Sequence, residues 1–74
     1  MAQAAPVGYP GWFNVSGAPI KSFCSWQARV YGFGYYGQEF YVSQSRFTSQ
    51  EWVKGENLST GTRGWTVASK LSFS

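Results

Sequence analysis

The chain has 74 residues and a formal charge of +3, and only 12% of its residues are charged, against roughly 25% in ordinary soluble domains, while 20% are aromatic. That length allows one domain, which buries only about 60% of the surface its unfolded chain exposes and so leans on large side chains for its core. With no His, one Cys and no carboxylates beyond Glu39, Glu51 and Glu56 in the side chains, the composition excludes imidazole acid–base chemistry, a Cys–His nucleophile, an internal disulfide and a Cys/His zinc cluster. The expectation is a non-enzymatic protein with no cofactor and no metal.

Pro6, Pro10 and Pro19, with Gly8, Gly11 and Gly17, fill the first stretch with chain breakers. Residues 1–17 read as an extended arm holding one short strand at Trp12–Val15, and residues 18–74 as a single small β domain. The start has neither the basic segment nor the apolar stretch of a signal peptide, which favours a cytoplasmic protein, and no apolar run reaches the 18 to 20 residues of a membrane span. The two N-x-S sequons, at Asn14 and Asn57, read as chance occurrences in a Ser-rich chain.

Ile20–Tyr31 alternates with period 2, the strand signature. Ile20, Cys24, Trp26, Ala28 and Val30 fall on one face as core. Lys21, Phe23, Ser25, Gln27, Arg29 and Tyr31 fall on the other. Gly32–Gly37 (GFGYYG) is either a bend that continues the strand or a hairpin loop. Gln38–Gln44 reads as a strand with Phe40 and Val42 inward and Glu39, Tyr41 and Ser43 outward. The polar run 45–51 reads as a loop or one helical turn, followed by a short strand at Trp52-Val53 and a long loop at Gly55–Gly64. Trp65–Phe73 closes the chain as a strand with Trp65, Val67, Leu71 and Phe73 inward and Thr66, Ala68, Lys70 and Ser72 outward.

No segment sustains a helical period, so the fold expected is all-β. At this size a five-stranded sheet removes its exposed edges by curling into a small barrel, either OB-like or, as the alternative, SH3-like. Cys24, in an apolar alternation, reads as an inert buried side chain.

The outward face of Ile20–Tyr31 mixes rings and cations. If the chain stays extended through the glycines, Phe33 and Tyr35 continue the row begun by Phe23 and Tyr31. Rings spaced about 7 Å apart on a pleated surface and edged by Lys and Arg suit a single-stranded nucleic acid, whose bases stack on the rings while its phosphates meet the cations. Packing of the same rings under the arm or against a second subunit is the competing reading.

Gly32-Phe33-Gly34-Tyr35 resembles the glycine–aromatic core of the first nucleic-acid-binding motif of cold-shock domains. Phe40-Tyr41-Val42-Ser43-Gln44-Ser45-Arg46-Phe47 resembles their second motif, with Ser43 where the family has His, and Trp12-Phe13-Asn14 resembles their first strand. The resemblance implies an OB-fold barrel in which Phe33, Tyr35 and Tyr41 are stacking rings, with Trp12 as a further one. It also matches Thr62-Arg63-Gly64 to the family's final polar loop.

Three functions follow. The first is binding of single-stranded RNA or DNA through Phe23, Tyr31, Phe33, Tyr35 and Tyr41 as rings and Lys21, Arg29 and Arg46 as phosphate contacts. The second is a carbohydrate-binding module, with exposed Trp and Tyr rings stacked on sugars. The third is a structural subunit whose aromatic surface is buried in a homo-oligomer or a larger assembly.

Overall fold

The computed structural model describes residues 6–73. It contains seven strands and one 3₁₀ turn: β1 (Pro10–Phe13), β2 (Ala18–Lys21), β3 (Val30–Gly34), β4 (Glu39–Phe47), β5 (Glu51–Asn57), β6 (Arg63–Val67), the turn Ala68–Lys70, and β7 (Leu71–Ser72). All pairings are antiparallel, and the strands make one sheet in the order β3-β2-β6-β5-β4-β1-β7. The sheet curls into a half-barrel that brings Gly34 of β3 against the ring of Phe13 of β1. The molecule is all-β, as expected, with more strands than the five anticipated.

Inside the curl lie Phe13, Ala18, Ile20, Phe40, Val42, Val53 and Leu71. Phe13 and Phe40 meet edge to face at 5.6 Å, the arrangement their quadrupoles favour. The inward positions of β4 are those the alternation predicts, with Phe40 and Val42 fully buried. Glu39 and Tyr41 point out.

The first correction concerns the N-terminal arm. β1 is inserted between β4 and β7, and Phe13 is fully buried, so the compact fold starts near Pro10 rather than Ala18. Residues 1–5 of the arm lie outside the described residues. The chain breakers act at the ends of β1, where Gly8 and Gly17 take positive φ.

The second correction is larger. Ile20–Tyr31 is not one strand: β2 ends at Lys21, and residues 22–29 form a loop closed by Ser22 N–H to the Arg29 carbonyl (2.8 Å) and Ala28 N–H to the Ser25 carbonyl (3.1 Å). The loop folds over the convex side of the sheet, where Cys24 completes a second small core with Trp52, Trp65 and Val67. Cys24 is thus buried, but Trp26 and Val30, expected inside, are exposed. The alternation was real; its apolar positions simply do not share a face, because four of them sit in the loop or beyond it.

Elsewhere the sheet absorbs what read as loop. β4 runs on through its polar half because each residue from Gln44 to Phe47 has a partner on β5, after a bulge at Ser43. β5 likewise continues to Asn57, so that the long loop shrinks to residues 58–62. The expected final strand is broken by the 3₁₀ turn, which sends β6 and β7 to different parts of the sheet. Trp65 and Val67 therefore face the convex core while Thr66, expected outward, is buried inside.

Candidate functional site

Directly opposed residues of paired strands share a sheet face. On the convex face the register therefore builds rows across the sheet. Tyr41, Glu56 and Arg63 form one row, Gln44, Lys54 and Trp65 the next, and Arg46, Trp52 and Val67 a third. Loop 22–29 covers Trp52 and Val67 of the third row and leaves Arg46 exposed, and between the loop's edge and the second row a groove of about 490 Å³ remains open.

Two exposed rings, Phe23 and Tyr31, and the edge of Trp65 wall the groove. Phe23 stands edge to face on Trp65 at 6.2 Å, and the Arg46 guanidinium lies 5.4 Å from the Phe23 ring centroid. Tyr31 is brought in by the irregular step of the β2–β3 ladder, where Ile20 opposes Gly32 but Lys21 opposes Val30 and one residue of β3 is left over. Lys54 and Arg63 complete the groove, giving it, among the described residues, three cations and no carboxylate. Both also line an adjoining cleft of about 290 Å³, whose far wall is Tyr41 and whose one acidic residue, Glu56, pairs with Arg63 at 3.4 Å.

Phe23, Tyr31 and Arg46 thus meet in one groove, and Tyr41 borders the cleft that continues it. Phe33 and Tyr35 are exposed farther along β3 and in the turn after it, and line neither opening. Tyr35 does not extend the row, because the chain turns at residues 35–38, with Gly37 at positive φ and Gln38 N–H on the Tyr35 carbonyl. Arg29 is exposed at the end of the loop, away from both openings. Trp12 is half-buried on β1, opposite Glu39 and Ser72.

Lys21 is a correction. It is buried at 6% exposure, and its ammonium donates to the carbonyls of Trp26 (3.0 Å) and Ala28 (3.4 Å). The loop that replaces the expected strand needs those carbonyls satisfied, and Lys21 does it, so this cation is not presented to a ligand.

Lys54, Arg63, Gln44 and Trp65 were missed as groove residues. The signal for Lys54 was present: Val53 inward in a strand places Lys54 outward, had β5 been read past Val53. No protein-family model, no curated protein and no solved structure matches the chain.

Proposed function

We propose that the protein is a non-enzymatic binder of single-stranded nucleic acid, with the convex groove as its interface. The observation that carries this reading is the juxtaposition of exposed Phe23 and Tyr31 with Arg46, Lys54 and Arg63 in one open groove that no carboxylate lines among the described residues. Bases take the rings, at about 1–3 kcal/mol per stacked base, and phosphates take the cations, without strict sequence preference. The adjoining cleft prolongs the same track to Tyr41.

The barrel type that we infer is the SH3-like alternative. Supporting it, β4, β5 and β6 form a meander, and a single 3₁₀ turn then delivers β7 to the far side of β1, whereas an OB barrel is a Greek key. The ligand class accordingly rests on the groove rather than on the likeness to cold-shock domains. Of the rings that likeness singles out, Tyr41 borders the track, and Phe33 and Tyr35 lie outside it.

Anisotropy titration of a labelled oligo-dT or oligo-U at low salt tests the proposal. Tyr31→Ala and Tyr41→Ala are expected to weaken binding by about 1–3 kcal/mol each with the fold retained, and Phe33→Ala by much less. Absence of binding by the intact chain at low salt overturns it.

A further inference from the structure

A further opening lies on the other side of loop 22–29, between that loop and the β4–β5 turn. It has a volume of about 360 Å³, at the small end of the roughly 300–1,000 Å³ of ligand pockets. Its working walls are Trp26 and Trp52, with Ser25, Gln27, Thr48 and Ser49 around them. Among the described residues not one charged side chain lines it, in contrast to the three cations of the groove.

Trp26 is the unusual element. It is 52% exposed, yet it is held from behind: its ring stands edge to face on buried Trp52 at 5.1 Å, and the Lys21 ammonium lies 5.8 Å from its centroid. Its own carbonyl accepts a hydrogen bond from Lys21, as does that of Ala28. Burying a lysine is costly, and here the charge serves to fasten the segment that displays the indole. An exposed ring on a fastened loop has already lost the conformational freedom that binding would remove.

We propose that this cleft is a separate site for one or two rings of a neutral saccharide. A pyranose offers an apolar C–H face, which matches the exposed indole, and a rim of uncharged hydroxyls. The hydroxyls of Ser25, Thr48 and Ser49 and the carboxamide of Gln27 donate to and accept from such a rim without needing a counter-ion. A phosphate-bearing ligand would find no cation among the lining side chains. The inference stands apart from the nucleic-acid reading, since the two openings share no lining residue.

The test is affinity electrophoresis of the intact chain in native gels cast with hydroxyethylcellulose, xylan, galactomannan or glycol chitin. At least one polymer is expected to retard the protein. Trp26→Ala should weaken that interaction tenfold or more, Trp26→Tyr should restore part of it, and Gln27→Ala should weaken it several-fold. Lys54→Ala should leave it unchanged while weakening oligonucleotide binding. Should Trp26→Ala unfold, Gln27→Ala and Thr48→Ala, which alter only rim side chains, decide the matter. Retardation by none of the four polymers overturns the proposal. So does retardation that survives the cleft substitutions, or that is lost on Lys54→Ala instead.

Discussion

Asn57, at the end of β5, is fully buried and organises the turn that follows. Its side chain donates to Gln38 Oε1 at 3.0 Å and accepts from Ser59 N–H at 2.9 Å, while its carbonyl takes the N–H groups of Thr60 and Gly61. Its amide is therefore a structural group, and so is that of Asn14, which donates to the Ser69 carbonyl and Ser72 Oγ, both at 3.2 Å. Asn57→Ala removes both side-chain hydrogen bonds from a fully buried position, although Gln38 Oε1 keeps the Tyr35 N–H, so a loss of about 1–3 kcal/mol is expected in urea unfolding. Thr66 is the opposite case: its Oγ1 is buried with no hydrogen-bond partner among the described residues. Thr66→Val keeps the shape and removes the stranded hydroxyl, and the same unfolding measurement should show a gain of about 1 kcal/mol. A loss there would mean that the hydroxyl is satisfied in solution.

At the scale of elements, the curl depends on how closely β3 approaches β1. Gly34 is buried, and a Cβ at that position would collide with the Phe13 ring, which is itself fully buried and cannot retreat. Gly34→Ala therefore overpacks the seam, and a destabilisation of about 1–3 kcal/mol is expected in thermal or urea unfolding. A neutral outcome would show that β3 does not close on β1 in solution. The strands that pack on this seam differ in how well they could be read. β4 was legible because Phe40 and Val42 alternate within one strand and face one core, so that parity and burial agree. Ile20–Tyr31 misled because two cores lie on opposite faces of the same sheet. Ile20 serves the inner one and Cys24 the outer, and the loop that carries Cys24 across the edge preserves the apolar spacing without preserving the strand. The split of Trp65–Phe73 has the same origin, since Val67 and Leu71 belong to different cores on either side of the 3₁₀ turn.

At the scale of the molecule, the groove exists only through register across β4, β5 and β6, which local alternation does not encode. Phe23 and Tyr31 were legible as outward rings, whereas Arg46 and Arg63 lay in runs that read as loop or turn and Lys54 just past a short strand, and these cations join the rings only once β4, β5 and β6 are aligned. Lys21 was drawn the other way, into the loop it fastens. These positions make the salt dependence of binding a quantitative test of the interface. For single strands the logarithm of affinity falls with the logarithm of salt by about 0.7 per neutralised phosphate, so three groove cations imply a slope of about −2. Arg46→Ala, Lys54→Ala and Arg63→Ala should each flatten it by about 0.7. Glu56→Gln, by releasing Arg63 from its pairing, should tighten binding at low salt. Lys21→Met should leave the slope unchanged, because its ammonium faces carbonyls rather than solvent. A slope that flattens in Lys21→Met but holds in Lys54→Ala would place the phosphates outside this groove.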